Sequence, residues 1–221
     1  ILEDVGNGAA SRSISHGAGF LPAFIWRKNI DQASYNSVVF HTSIGTGSYF
    51  YGSDAAAAVT GEGTAGAWAG GTFTTSVITV GSNNDTNKSG ENFVSYLWNN
   101  AGPYAFGDYI GNGNADGTFI NVGGRPQVFV GKPSTVADSY VAKYEALLEY
   151  NVNGKRLYWE GTNAVSTSTT DGLVDFVSNG VKNRISSTGL NSSTYGNYVY
   201  MAFGIQPIQG NGKDTSQGRA K

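Results

Sequence analysis

Cysteine is absent from the 221-residue chain, methionine occurs once and histidine twice. The sequence therefore offers no disulfide framework, no thiolate metal site and no cysteine nucleophile. Charged residues make up only 14% of the chain and its net charge is −2, which argues against nucleic acid as a partner. No segment approaches the ~18 consecutive apolar residues of a membrane-spanning helix, so we expect no membrane insertion.

Glycine and aromatic residues are what the chain has in abundance. There are 32 glycines, and 39% of the residues are hydrophobic and 13% aromatic. Glycine together with many serine, threonine, asparagine and tyrosine residues is typical of closely spaced strands joined by tight turns. The hydrophobic content is sufficient for a packed core, so the composition predicts an all-β fold and not a disordered chain.

One pattern occurs twice along the chain, at a spacing of about 105 residues. The shared anchors are Gly6-Asn7-Gly8 with Gly111-Asn112-Gly113, Gly19 to Pro22 with Gly123 to Pro126, and Asn92 to Trp98 with Asn197 to Phe203. A repeat of this length has the size of one small β-sandwich. The sequence therefore predicts an internal duplication, with β-sandwich repeats over residues 1–104 and 105–208 and a polar tail over 209–221.

Two segments raise the question of helix, and a third is a turn. Asp138 to Val152 is compatible with a helix, but the repeat and the tyrosine and valine content favour strand. Ala55 to Ala58 lies between glycines and is compatible with one short helix. Gly81 to Gly90 indicates a polar turn. We therefore expect no helix of ordinary length.

A series of short motifs carries a family likeness. The series is Gly111-Asn112-Gly113, Ala115-Asp116-Gly117, Gly124-x-Pro126, Asp175 to Lys182, Tyr198 to Phe203 and, in the first copy, His16-Gly17-x-Gly19. It resembles the C-terminal part of tailed-phage virion proteins, large fibre or structural proteins of phages of marine bacteria and cyanobacteria. Those proteins contain repeated concanavalin-A-like sandwich units, and the likeness spans nearly the whole chain.

The resemblance implies two tandem jelly-roll or concanavalin-like β-sandwich units and an exposed position on the exterior of a phage particle. It implies a non-enzymatic structural protein, in a tail fibre or a receptor-binding module for host attachment. We expect a homo-oligomer, such as a trimer, that contacts other virion proteins. A capsid decoration (cement) protein and a lectin domain that holds a host-surface glycan are the alternatives.

The segment after the second Gly-Asn-Gly is a candidate calcium loop. Asn112, Asn114 and Asp116 supply alternating oxygen atoms, and Gly117 permits a sharp turn. Gly123 stands where such a loop has its bidentate glutamate, and a polar β-turn explains the same residues. We favour the turn, and expect no cofactor unless calcium binds here.

The sequence contains only weak signals for catalytic carboxylates or catalytic histidines. The nearest carboxylate pairs are Glu145 with Glu149 and Asp171 with Asp175, and neither lies in an aromatic-rich motif. Solvated strand ends and turns account for them better than glycoside hydrolysis does. His16 and His41 have no serine nucleophile motif or second ligand at a recognisable spacing, although triad members can be far apart in sequence.

The aromatic residues are the most informative group. Platforms for sugar rings and a sandwich core are alternative roles for Trp26, Tyr49, Tyr51, Trp68, Trp98, Tyr158 and Trp159. Neighbours on a strand point to opposite faces, so one ring of Phe50-Tyr51 and one of Tyr158-Trp159 must face away from its sheet's core. We take Trp68, Tyr51, Trp159 and Tyr158 as candidates for a ligand surface or a subunit interface, with the interface slightly favoured.

Overall fold

The computed structural model describes residues 1–138, 140–144, 154–162, 164–167, 173–186 and 188–207. The chain is all-β, as expected, and divides into two compact units, Ile1–Asn100 and Ala101–Lys221. No helix in these ranges is long and apolar enough to cross a membrane.

The first unit consists of a six-stranded sheet and a two-stranded sheet, both antiparallel. Its elements are β1 (Leu2–Val5), β2 (Arg12–Ser15), β3 (Phe24–Asn29), β4 (Val38–His41), β5 (Ser48–Tyr51), β6 (Val59–Thr60), β7 (Val77–Val80), α1 (Asn84–Asn87) and β8 (Asn92–Trp98). The large sheet has the order β1-β8-β3-β4-β5-β6, and β2 pairs with β7.

The second unit has a six-stranded sheet with three-stranded and two-stranded sheets. Its elements are β9 (Tyr104–Ile110), β10 (Phe119–Asn121), β11 (Gly124–Arg125), β12 (Val128–Pro133), β13 (Val141–Tyr144), β14 (Lys155–Tyr158), β15 (Ser166–Thr167), β16 (Val174–Val177), β17 (Gly180–Asn183), α2 (Thr188–Asn191), β18 (Asn197–Phe203) and β19 (Gln206–Pro207). The large sheet has the order β9-β18-β12-β13-β14-β15, the second β10-β17-β16, and β11 pairs with β19.

The two large sheets therefore have the same connectivity. In each, the first strand of the unit pairs with its last long strand, which pairs with the strand that follows the Gly-x-x-Pro motif. The shared strand order agrees with the repeated sequence pattern. That both units descend from one duplicated ancestor stays an interpretation.

Each unit has a sandwich core between its large sheet and a smaller one. In the first unit Ile14 and Ile78 of the small sheet pack in one cluster with Ile25 and Phe40 of the large sheet. In the second unit the cluster is formed by Tyr109, Ile120, Val122, Phe129, Val141, Val174, Phe176, Val181, Leu190, Tyr198 and Ala202. Burying apolar side chains between two sheets is the main stabilising term of such a fold.

Helix occurs only as single turns in the described residues, and its positions differ from two expectations. Ala55 to Ala58 is not helical, whereas the polar turn contains the one-turn helix α1, where the side chain of Asn83 accepts a hydrogen bond from the Asp85 amide at 2.8 Å. Strand was the correct choice for residues 141–144. Ser139 and 145–152 of the same segment lie outside the described residues.

A buried asparagine at the end of α1 holds the first Gly-Asn-Gly loop. Asn87 Oδ1 accepts a hydrogen bond from the Asn7 amide at 3.0 Å, and its Nδ2 donates to the Ala9 carbonyl at 3.0 Å. The Gly8 amide donates to the backbone carbonyl of Asn87 at 2.8 Å. Because the side chain of Asn87 is fully buried, these bonds satisfy polar groups that water cannot reach.

The second unit repeats this arrangement at the end of α2. Asn191 Oδ1 accepts from the Asn112 amide at 3.1 Å, and its Nδ2 donates to the Asn114 carbonyl at 2.9 Å. The Gly113 amide donates to the Asn191 carbonyl at 2.8 Å. We call each buried asparagine with its Gly-Asn-Gly loop an asparagine clamp, one formed by Asn87 and the other by Asn191.

The clamp explains why both loops need glycine on each side of the asparagine. A Cβ at Gly6 would collide with the backbone of Lys88, and one at Gly111 would lie 2.5 Å from the carbonyl oxygen of Ser192. The second glycine has a positive φ, 72° at Gly8 and 65° at Gly113. Glycine adopts that conformation without the steric cost that a Cβ imposes.

We predict that Asn191→Ala destabilises the second unit. The substitution removes a buried side-chain amide together with its bonds to the Asn112 amide and to the Asn114 and Ile185 carbonyls. The expected loss in the free energy of unfolding is about 2–4 kcal/mol, measured by urea denaturation. The control is Asn197→Ala, where the asparagine is exposed on β18. Equal losses in the two variants would contradict the clamp.

Candidate functional site

A buried ion pair lies beside the clamp of the first unit. The fully buried guanidinium of Arg27 donates from Nη1 to one oxygen of Asp4 at 2.6 Å and from Nη2 to the other at 3.0 Å. Its Nε donates to the Thr86 carbonyl at 2.8 Å, and Nη1 also reaches Ser95 Oγ at 2.8 Å. The guanidinium lies 4.5 Å from the ring centroid of Phe93. Arg27 therefore links three strands to α1.

A second arginine completes the charge arrangement. Arg12 Nη1 lies 2.7 Å from Oδ1 of Asp4. Burial acts to raise the pKa of Asp4, but the hydrogen bonds and charges of Arg27 and Arg12 outweigh it and hold that pKa below its usual value. Burial lowers the pKa of Arg27, against the opposing effect of Asp4, and the guanidinium remains charged.

The second unit replaces this ion pair with a tyrosine and a glycine. Tyr109 and Gly131 occupy the strand positions that correspond to Asp4 and Arg27, and the Tyr109 hydroxyl donates to the Leu190 carbonyl at 2.8 Å. Leu190 precedes the clamp asparagine as Thr86 does in the first unit. A Cβ on Gly131 would come within 2.5 Å of Leu190 Cδ2 and 3.1 Å of the Tyr109 hydroxyl. The tyrosine thus requires the glycine.

The equivalent strands β3 and β12 each carry a lysine near their end. Lys28 Nζ donates to the Tyr35 carbonyl, and Lys132 Nζ donates to the Asp138 carbonyl at 2.6 Å. Lys132 is fully buried and its Nζ lies 4.6 Å from the ring centroid of Tyr140. These lysines fix the loop that follows the strand, so their contacts are structural.

The candidate calcium loop is a chain of side-chain turns. Asn112 Oδ1 accepts from the Asn114 amide at 3.0 Å, and Asn114 Oδ1 accepts from the Asp116 amide at 2.9 Å. Asp116 Oδ1 lies 2.8 Å from Lys182 Nζ, and Lys182 lowers the pKa of this exposed carboxyl. Within the described ranges no three His, Cys, Asp or Glu residues cluster as a metal site. The polar turn stays the favoured interpretation, with calcium binding as its alternative.

The two histidines make hydrogen bonds to backbone atoms. His16 Nε2 lies 3.3 Å from the Thr74 carbonyl oxygen, and its Nδ1 accepts from the Ala18 amide at 3.2 Å. His41 is fully buried on β4, where its Nδ1 accepts from the Ser43 amide at 3.1 Å. Both rings have a role in fixing local turns.

Of the four candidate carboxylates, only Asp175 lies within the described residues. Asp175 is buried on β16 and accepts a hydrogen bond from Arg184 Nε. Its predicted partner Asp171 lies outside the described residues, as do Glu145 and Glu149. The contact of Asp175 with Arg184 is within one hairpin, β16–β17, and joins its strands.

Trp68 belongs to the core, which corrects its proposed place on a ligand or subunit surface. Only 1% of its side chain is exposed, and its ring lies 6.2 Å from that of Phe40 and 5.8 Å from that of Phe73, both edge to face. Tyr51 is half-buried and packs against the same core, with its hydroxyl 3.3 Å from that of Tyr49. Phe50 points to the other face, but it is fully buried there.

Tyr158 and Trp159 lie on opposite faces of the large sheet in the second unit. Tyr158 packs against the core, and the guanidinium of Arg156 lies 5.3 Å from its ring centroid. Trp159 stacks on Tyr140 at 6.2 Å and lies 6.2 Å from Phe203. Both side chains are half-buried. The expected outward ring is therefore Trp159, within an aromatic cluster.

An aromatic strip crosses the outer face of the large sheet in the first unit. We define it as Trp26, Tyr96 and Trp98. Trp26 and Tyr96 are directly paired across β3 and β8, and the rings of Tyr96 and Trp98 stack at 6.2 Å with an angle of 28°. Tyr96 is 41% exposed, and the other two are half-buried. Tyr96 was missing from the sequence-based candidates, although alternation along β8 places it beside Trp98.

A family model described as a domain of unknown function, DUF7483, matches residues 1–207. The chain belongs to this family. No curated protein and no solved structure matches it. The DUF7483 match covers both asparagine clamps and the aromatic strip, and it assigns no function to them.

We predict that Asp4→Ala destabilises the DUF7483 chain by about 3–5 kcal/mol, because Arg27 then stays buried without a carboxylate. The double variant Asp4→Tyr with Arg27→Gly copies the second unit and should lose less stability than Asp4→Ala alone. Urea denaturation measures both. A double variant less stable than Asp4→Ala would contradict the equivalence of the two sites.

The pH dependence provides a control for the ion pair. The lowered pKa of Asp4 means that its contribution is complete above its unfolded value, about 3.8, and is lost as the pH falls through the folded value. The double variant lacks this carboxyl. Its free energy of unfolding should therefore fall less steeply with acid than that of the wild type below about pH 4.

We predict that calcium leaves the thermal midpoint of the DUF7483 chain unchanged. The oxygens of Asn112 and Asn114 already accept backbone hydrogen bonds, and Asp116 is paired with Lys182. Differential scanning calorimetry with millimolar calcium or with chelator tests this expectation. A rise in midpoint that disappears in Asp116→Asn would instead establish the calcium loop.

Proposed function

We propose that this chain is a non-enzymatic structural protein of a tailed-phage particle, displayed on the exterior in a tail fibre or another receptor-facing appendage. There it acts in attachment to the host. The motif series that resembles phage virion proteins supports the placement, and the all-β double-sandwich architecture is consistent with it. The aromatic strip is the observation on which an attachment role depends.

The buried charges support a binding role over a catalytic one. Asp4 and Arg27 neutralise each other within the core, and Lys132 holds the loop after its strand. The hydrogen bonds of Asp4, Arg27 and Lys132 thus serve the fold. The aromatic strip, in contrast, is partly open to solvent, with Tyr96 41% exposed. A partly exposed aromatic surface is typical of a recognition site.

Self-association has support from a surface next to the edge strand β1. Val5 and Ile30, 53% and 58% exposed, line a cavity of about 220 Å³ together with Glu3 and Asn92. It lies next to β1, which ends the large sheet of the first unit. Exposed apolar side chains around a depression are typical of contacts between protein chains. We therefore propose that an oligomer contact uses Val5 and Ile30.

The test is the location of the chain in purified phage particles. Mass spectrometry of particles from a phage that encodes this chain should detect it, and immunogold labelling should place it on the tail exterior. Labelling of the capsid surface would favour a decoration protein instead. Absence of the chain from purified particles would contradict the proposal.

A further inference from the structure

We propose that the aromatic strip of the first unit, Trp26, Tyr96 and Trp98, is a saccharide-binding site on which sugar rings stack. The inference rests on the proposed function, since attachment requires a receptor, and it names the chemical class of that receptor. It assigns the site to residues of β3 and β8.

The geometry of β8 suits a chain of sugar rings. Tyr96 and Trp98 are two residues apart on one strand, which spaces them by about 6.8 Å along it. Their rings stack with centroids 6.2 Å apart and within 28° of parallel, so the outer faces and edges of the pair form one continuous apolar surface. Trp26 is paired with Tyr96 on the neighbouring strand and widens that surface. Flat aromatic faces pack against the C–H face of a pyranose and exclude water from it.

Packing beneath the strip restrains its rings. Trp98 lies against Phe24 with a centroid separation of 5.3 Å. The indole of Trp26 covers Gly52, where a Cβ would approach its Cζ2 within 2.9 Å. Gly52 is therefore needed for the ring's position. Rings that are already held in place lose little conformational entropy when a ligand binds.

A polar group lies within reach of the same face. Val94 precedes Tyr96 by two residues on β8, and its partners across the sheet are Glu3 on β1 and Lys28 on β3. Glu3 is exposed and presents carboxylate oxygens beside the strip, whereas Lys28 donates to the Tyr35 carbonyl. A carboxylate next to stacked rings can accept hydrogen bonds from sugar hydroxyls and thereby fix the orientation of the ring.

The size and the position of the strip favour a saccharide over a protein. A stable protein interface buries about 800 Å² on each partner, whereas only one of these three rings is more than a third exposed. Two of the corresponding positions of the second unit hold Val130 and Met201, which are 0% and 1% exposed, and the third holds the half-buried Phe203. The exposed tyrosine with a tryptophan beside it on the neighbouring strand is therefore a feature of the first unit alone.

The test is titration of the full chain with maltohexaose, cellohexaose, mannohexaose and N-acetylchitohexaose, followed by tryptophan fluorescence and calorimetry. We expect at least one of these probes to bind and to change the fluorescence. Tyr96→Ala should weaken that binding by about tenfold or more, whereas Tyr96→Phe retains the ring and should stay within about threefold of the wild type. Glu3→Gln should weaken binding less than Tyr96→Ala does.

The matched control is Phe119→Ala, since Phe119 is an aromatic residue of the second unit with 42% exposure. It should leave binding unchanged, and circular dichroism and the urea midpoint confirm that each variant is folded. Failure of all four probes to bind the wild type would overturn the inference, as would unchanged binding by Tyr96→Ala. A fall in molecular mass for Tyr96→Ala, measured by light scattering, would also overturn it and assign the strip to a subunit contact.

The two proposals fail in distinguishable ways. A chain that is present on the phage exterior but binds none of the probes retains its proposed function and loses the saccharide site. A chain that binds a probe through Tyr96 but is absent from purified particles retains the site and loses the phage placement.

Discussion

One buried asparagine side chain organises each unit. It accepts a hydrogen bond from one backbone amide of the Gly-Asn-Gly loop and donates to a carbonyl beyond it, which fixes the loop against the end of a one-turn helix. The long strands β8 and β18 begin only a few residues after these helices. In the first unit that strand carries Tyr96 and Trp98. The clamp thus sets the position of the strand on which the proposed binding surface lies.

The same framework accommodates two different chemistries beside the clamp. In the first unit a guanidinium reaches the Thr86 carbonyl and is neutralised by Asp4. In the second, the Tyr109 hydroxyl bonds to the equivalent carbonyl, and Gly131 makes room for the ring. A buried ion pair must offset a large desolvation cost, whereas a tyrosine needs one hydrogen-bond acceptor. The first unit should therefore be the more sensitive of the two to acid and to loss of one partner.

Composition and glycine turn chemistry predicted the all-β class, because turn residues are local signals. The repeat and the tyrosine and valine content predicted the strand nature of residues 141–144. They did not predict the Asp4–Arg27 pair, whose members are 23 residues apart in sequence. Comparison of the two copies could have found it, since Asp and Arg in one are replaced together by Tyr and Gly in the other. Trp68 was assigned wrongly, because a tryptophan in a glycine-rich loop can point either way and only packing decides.

The central claim is that each asparagine clamp stabilises its own unit. Native-state hydrogen exchange at Gly8 and Gly113 tests it most directly. Their amides bond to the carbonyls of Asn87 and Asn191 at 2.8 Å. The account predicts that both amides exchange as slowly as those of the central strands β3 and β12, because opening either requires its clamp to break. Exchange as fast as at the exposed turn glycine Gly17 would contradict it.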